Sequence, residues 1–576
     1  MSTSSTRRIA DDYTAALAAH EPAAAQALGQ HAAGRLPDYS PEWAVERRRL
    51  AERVAVDLAG APGATGASGA PAPSGASEDP DLALRAALGE RMRSEAELFD
   101  TGFSARLLAP LASPVHEIRE SFDDVTVTDD EAGDDVIERL VAVPAALADL
   151  RRRLDWARAA GEEGRFSGTG VAAARQVRAV AGQVRSWIDP TGTDYFSRIA
   201  RGGLASSRET RLERAGTDAG LAFAEFASYL DGELLAGAPE EDAVGEQVYA
   251  QTARSFLGTP IDLDDIYDFG WAELDRLVAQ SRRLAAQVLG VAGEADVETA
   301  SRALFADERY RVAGRDNIVG WLRDRFEWTL ERVQGAFDLP GDVREVDIVV
   351  PTAATGVVYY TPGAPDGSTT GKIVWTVPEG EDSISTWHEV TSFHHEGVPG
   401  HHLEHTTNRA NSGLHPWQRY LCEIHGYAEG WAHYSEQLSA ELGLLRDPAE
   451  ELGAVLGQVW RAVRIVADIG LHTGRPVRPN ALGAEGPWTP ELARRFLVEL
   501  ALVDPRTAGF EVDRYLGWPG QALAFKVGAK LWLDARADAE ARGIPASHFH
   551  RSALGLGPMG LGPLRELLST SAPEPR

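Results

Sequence analysis

The chain has 576 residues, 44% of them hydrophobic and 14 of them tryptophan, enough apolar material for a substantial core. Its formal net charge of −29 argues against wrapping nucleic acid or docking on an anionic membrane, since both need positive potential. A single cysteine, Cys422, excludes an intramolecular disulfide and a cysteine-rich metal site.

Between Met1 and Asp12 no apolar run follows Arg7-Arg8, so this stretch does not read as a secretory signal. No window approaches the ~20 apolar residues of a membrane-spanning helix. A soluble, cytoplasmic protein is expected.

In chain order, residues 1–59 carry helical periodicity with many alanines and paired charges. Gly60 to Ser77 is almost entirely Gly, Ala, Pro and Ser, and cannot bury enough apolar surface to offset its ordering entropy. Residues 60–80 are therefore expected to be a flexible insertion within one fold. Over 81–342 apolar residues recur at three and four positions, as in Val136 to Leu154 and Leu221 to Leu235, and predict a helical lobe. Pro260 to Ile266 reads as a loop ending in an acidic helix start.

Val343 to Val377 is the convincing β region. Val346 to Val350 and Gly356 to Tyr360 flank a turn opening at Pro351, and Lys372 to Val377 follows the Asp366-Gly367 turn signal. From Ser383 onward the pattern is helical again. The fold class expected is mainly α, with a small sheet beside the segment described next.

Six of the fifteen histidines fall between His388 and His405, in a block that reads His394-His395-Glu396-Gly397-Val398-Pro399-Gly400-His401-His402-Leu403-Glu404-His405. Imidazole is a favoured zinc ligand, and an adjacent carboxylate can take a proton from an activated water. The pattern predicts a helix over 383–398 capped by Ser383 or Ser385. In the motif H-E-x-x-H, two histidines four apart share one metal, but the fourth position after His395 is Pro399. An unbroken helix would set His401 about 120° from His395, and His402 ~10 Å along the axis. Proline lacks the N–H that bonds the carbonyl of His395, so the helix must distort there for His401 to reach the ion. His401, Glu404 and His405 also fit the inverted motif H-x-x-E-H, which needs no distortion.

A catalytic zinc usually takes three protein ligands. Glu429, His433 and Glu436 form one polar stripe at spacings of zero, four and seven, beside an apolar stripe of Tyr427, Trp431, Tyr434 and Leu438. An ordinary ion pair on a solvated face is the alternative reading of Glu429.

These residues resemble the bacterial family catalogued as domain of unknown function 885. The likeness rests on His395-Glu396-x-x-Pro399-Gly400-His401-His402 and on Glu429-Gly430-Trp431-Ala432-x-Tyr434-x-Glu436. Arg464-x-x-x-Asp468-x-Gly470-x-His472, Arg514-Tyr515-x-x-x-Pro519-Gly520-Gln521-Ala522 and Phe549-His550-x-x-x-Leu554 extend it over most of 345–570. That family in turn resembles the gluzincin metallopeptidases, especially the helical carboxypeptidases of the Taq type. The resemblance implies a metallopeptidase-like catalytic region over 343–576, with His395, His401 and Glu429 as ligands and Glu396 as general base. It also implies a strand edge that holds substrate. Phe525 stands where the family often has tyrosine.

The expected function is a zinc-dependent hydrolase of peptide or related amide bonds, a carboxypeptidase or other exopeptidase, with one zinc ion and short peptide substrates. His395, His401 and Glu429 hold the metal, and Glu396 moves the proton. Tyr515 or His472 serves the oxyanion, with Tyr359 as a further choice. Arg461, Arg464, Arg514 and Tyr359 are the substrate-binding candidates. His402, His433 and Glu436 are candidates for orienting the ligands. Two other readings are a non-catalytic metal-binding or scaffold protein and an inverted-motif protease using His401, Glu404 and His405. No nucleic-acid or membrane partner is expected, and the oligomeric state is not legible.

Overall fold

Short polar side chains placed one residue ahead of apolar stripes set many of the helix starts. Ser40 accepts the N–H of Trp43, Asp129 that of Ala132, Thr489 that of Leu492, and Asp262 those of Asp264 and Asp265. The result, in a computed structural model that describes residues 4–32, 34–61, 81–123, 129–189, 195–199, 206–351, 358–377 and 380–570, is a mainly helical chain with two small sheets. The Gly60–Ser77 segment from Pro62 onward, and residues 352–357 of the expected β region, lie outside the described residues.

The chain divides into two compact units. One gathers the described residues of Met1–Gly69, Arg91–Thr252 and Gly509–Pro519. Its longest helix, Asp130–Glu162, packs against Ser206–Tyr229 through Leu140, Leu147, Leu150, Phe223 and Phe226. The periodic run from Leu221 leaves α-helical geometry after Tyr229 and ends in a wider turn over Leu230–Leu234.

The other unit holds Ala70–Glu90, Ala253–Ala508 and Gly520–Arg576, again as far as they are described. The expected boundary at 342/343 does not divide the units: residues 253–342 pack with the histidine-bearing region. The reason is a long interhelical contact. Helix α1 (Leu263–Leu289) lies along the helix Pro448–Thr473, and Gly270 lets the two backbones approach where a Cβ would meet Ile465 at 2.7 Å.

Two sheets follow α1. Strands β1 (Arg311–Ala313) and β5 (Ser383–Ser385) pair antiparallel, Val312 opposite Ile384. The other sheet has the order β2 (Val346–Val349), β4 (Gly371–Val374), β3 (Tyr359–Thr361), with β4 parallel to β2 and antiparallel to β3. The helix expected over 383–398 is thus shorter than its pattern implied. Ser383–Ser385 is claimed by cross-strand hydrogen bonds, and helix α2 covers Thr386–Glu396 without a side-chain cap from Ser385.

Four further helices complete the frame: α3 (His401–Ala410), α4 (His425–Glu441), α5 (Pro448–Thr473) and α6 (Lys526–Ala541). Helix α5 is buried along most of its length, and α2 and α1 both pack on it. Helices α4 and α6 cross at Gly430 and Gly528, where a Cβ on either would lie 2.7–2.8 Å from the other's backbone. Trp387, Trp431 and Trp532 are fully buried, each stabilising this packing by about 1.5–3 kcal/mol. Trp387 and Trp431 are core residues.

Candidate metal centre

The break between α2 and α3 builds the site. Helix α2 stops at Glu396, the Val398–Pro399 peptide is cis, and α3 begins at His401. Gly400 is required at the junction, because a Cβ there would collide with the carbonyl oxygens of His394 and His395. The turn is held from α4: the Trp431 indole and the Ser435 hydroxyl both donate to the Pro399 carbonyl, at 2.9 and 3.0 Å. On its other side β4 abuts it, with Ile373 3.6 Å from a Cβ placed on Gly397.

Across this break the rings of His395 and His401 come to 4.9 Å between centroids, at 88° to each other. Glu429, on α4, meets both: its Oε2 is 3.1 Å from Nε2 of His395 and 3.6 Å from Nε2 of His401. Tetrahedral zinc ligands at ~2.0–2.2 Å from the ion stand roughly 3.3–3.6 Å apart, close to the 3.1 and 3.6 Å that separate Glu429 from the two rings. The three atoms are a nitrogen, nitrogen and oxygen set of the kind found at catalytic zinc. Two turns further along α4, Glu436 accepts the other ring nitrogen of His395, Nδ1, at 2.8 Å. That bond holds the ring with Nε2 turned to Glu429 and His401.

Electrostatics point the same way. Burial alone would lower the pKa of His395, but hydrogen bonds to Glu429 and Glu436 outweigh it and push it up to about 10. His401 is likewise raised, against burial, by Glu429. Both carboxylates are held well below the usual range despite burial, Glu429 by the two histidines and Glu436 chiefly by His433 and Arg461. The pocket therefore stabilises positive charge placed between the rings and Glu429. Glu396 behaves differently: it is 9% exposed, and burial raises its pKa. No hydrogen bond from a described residue claims its carboxyl, which leaves it able to accept a proton.

Behind Glu436 runs a buried polar chain that the sequence did not reveal. Thr391 donates to Glu436 at 2.9 Å and Gln458 at 3.4 Å, and Lys526 donates to Gln458 and pairs with Glu273, both at 3.0 Å. His433 lies 3.2 Å from Glu436, and burial lowers its pKa to about 4. The signal that existed was one of type: lysine, glutamine and threonine on otherwise apolar helix faces.

The remaining predicted residues divide by place. Arg464 lies over the Phe525 ring at 4.4 Å, and that ring stacks at 17° on His395 with centroids 6.1 Å apart. Arg461 reaches Phe525 at 5.9 Å and Glu436 at 3.9 Å. His472 is fully buried near the end of α5, 3.8 Å from Asp468. Tyr515 and Arg514 belong to the other unit, where both donate to Glu511, at 2.8 and 3.0 Å. His402 donates Nε2–H to the Val343 carbonyl at 2.7 Å and accepts from the Tyr360 hydroxyl at 3.2 Å, so both its nitrogens are engaged. Tyr360 is thus the strand tyrosine at the histidines, and it also stacks on His405. Alternation along β3 sends its neighbour to the opposite face. His401, Glu404 and His405 form another group whose donor atoms lie within 4.8 Å.

A family described as "Bacterial protein of unknown function (DUF885)" matches residues 22–568. The chain belongs to the DUF885 family. No curated protein matches this DUF885 chain. Two solved structures share its fold. One is the "putative lipoprotein" from Colwellia psychrerythraea, 21% identical over 98% of each chain, with a TM-score of 0.77. The other, a "putative lipoprotein of unknown function" from Shewanella oneidensis, is 16% identical over 99% of this chain and 100% of its own, with a TM-score of 0.70. These descriptions overturn the cytoplasmic expectation for the DUF885 chain. An acidic, water-compatible surface does not distinguish a cytoplasmic protein from one held by an attached lipid, which needs no spanning helix. Among the described residues no helix is long and apolar enough to cross a membrane.

Proposed function

We propose that this DUF885 protein is a zinc-dependent hydrolase of peptide or related amide bonds, similar in its site to the gluzincin metallopeptidases. One observation carries the reading: Glu429 and Glu436, two turns apart on α4, take opposite nitrogens of His395 while Glu429 also reaches His401. His395, His401 and Glu429 would hold the ion. A metal there supplies Lewis-acid polarisation of a scissile carbonyl and acidifies water. Glu396 accepts the proton of the attacking water and returns it to the leaving nitrogen. Glu436 keeps His395 in one tautomer and orientation through the cycle. Arg461 and Arg464, beside the Phe525–His395 stack, bring two guanidinium groups that match the carboxylate of a short peptide.

A scaffold that only binds metal has no use for a buried carboxyl that, among the described residues, is left without a hydrogen bond next to a ligand, and Glu396 is such a group. The inverted-motif reading needs Glu404 as base, yet Glu404 already takes the amide of Asn408 and sits at ligand spacing from His401 and His405. The test is Glu396→Gln, assayed by metal analysis and by mass spectrometry on a peptide library. Retained zinc with cleavage slowed by about 100-fold or more is expected. Full activity in that variant sinks the assignment.

A further inference from the structure

Three and four residues after His401, α3 carries Glu404 and His405, and one donor atom from each of the three lies within 4.8 Å of the others. Glu404 is 1% exposed. Its Oε1 accepts from the Asn408 amide, whereas its Oε2, 3.5 Å from Nε2 of His405, has no hydrogen-bond partner among the described residues. It is not alone. Nδ1 of His401, Oδ1 of Asn408 and the Tyr427 hydroxyl are also buried and without hydrogen-bond partners among the described residues. Tyr427 is near enough to feel the charge of Glu404.

Buried polar atoms are nearly always satisfied, and a buried carboxylate needs a cation close by. Among them the orphan Oε2 of Glu404, 3.5 Å from Nε2 of His405 and grouped with His401, marks a place where a cation belongs. We propose that His401, Glu404 and His405 form a second divalent-cation site next to the one at His395, with His401 standing between the two. Two imidazoles and one carboxylate favour zinc over calcium or magnesium. The His405 side chain, 36% exposed, opens a route from solvent. Neutral His401 has one free ring lone pair, so holding both ions requires its remaining ring N–H proton to leave to solvent, and the second ion binds more weakly than the first. This inference concerns ion occupancy and does not rest on the hydrolase reading.

Zinc titration of the full-length protein, with bound metal counted after equilibrium dialysis, tests it. Wild type takes up two equivalents, the second at higher free zinc. The double variant Glu404→Gln, His405→Ala takes up one and keeps the tight one. His395→Ala loses the tight equivalent and keeps one. Should the double variant fold poorly, an anomalous difference map at the zinc edge from wild-type crystals soaked in zinc decides, with a peak between Glu404 and His405 expected. Saturation at one equivalent, or a map with water alone at Glu404, overturns the second site. One ion with peptide cleavage refutes the second site alone; two ions without cleavage refute the hydrolase reading alone.

Discussion

Nδ1 of His395 donates to Oε1 of Glu436 at 2.8 Å, and this bond decides what the opposite nitrogen of the ring can do. With Nδ1 committed to a carboxylate, Nε2 faces Glu429 and is the nitrogen left for a metal. Glu436 is itself steadied by Thr391 and Gln458, so the ring's orientation is set three residues deep.

Glu436→Gln removes the charge that orients His395 while keeping the side chain's shape. Zinc affinity, measured by competition with a chromophoric chelator, is expected to fall about 10–100-fold. An affinity equal to wild type would show that Glu436 does not position the ring.

Metal-free protein binds protons where the cation belongs. His395 has a pKa of about 10 in the fold, raised from ~6.5 in the unfolded chain. A raised folded value stabilises the fold fully below ~6.5, and that stability is lost as pH climbs towards about 10. In chelator, the melting temperature of wild type should therefore fall through this window more steeply than that of His395→Gln. Zinc competes with the same protons, so its apparent affinity rises over the same range. A flat affinity between those limits contradicts the protonated ring.

Gly400→Ala places a methyl group against two carbonyl oxygens of α2, which are backbone and cannot swing away. A loss of about 1–3 kcal/mol in urea unfolding is expected, with weaker zinc binding because His401 starts the next helix. Wild-type stability and affinity together would mean that the turn is looser than drawn.

Arg325 and Glu450 form a buried fork, Nη1 and Nη2 each 3.0 Å from one carboxylate oxygen. Arg325→Met strands the buried Glu450 and should cost about 3–5 kcal/mol, whereas adding Glu450→Leu should recover much of it. Denaturation of the two variants measures the difference, and equal losses would show that the stranded charge is not the cause.

Local chemistry determined much of this protein from its sequence. Proline at 399 and glycine at 400 forbid a continuous helix between the two histidines. The zero, four and seven spacing sets Glu429, His433 and Glu436 on one helical stripe, and Asp262 starts α1 where its acids predict. These features depend on neighbours within about two turns, which periodicity encodes.

Tertiary structure alone decided the pairings across longer separations. Which nitrogen of His395 meets Glu429 and which meets Glu436, and whether Tyr359 or Tyr360 faces the histidines, depend on how α4 and β3 dock. Ser383–Ser385 became a strand because Arg311–Ala313 offered it backbone partners, and the hydroxyl of Tyr515 went to Glu511. A side chain's identity limits the bonds it can make; the partner that arrives depends on the packing of segments far apart in the chain.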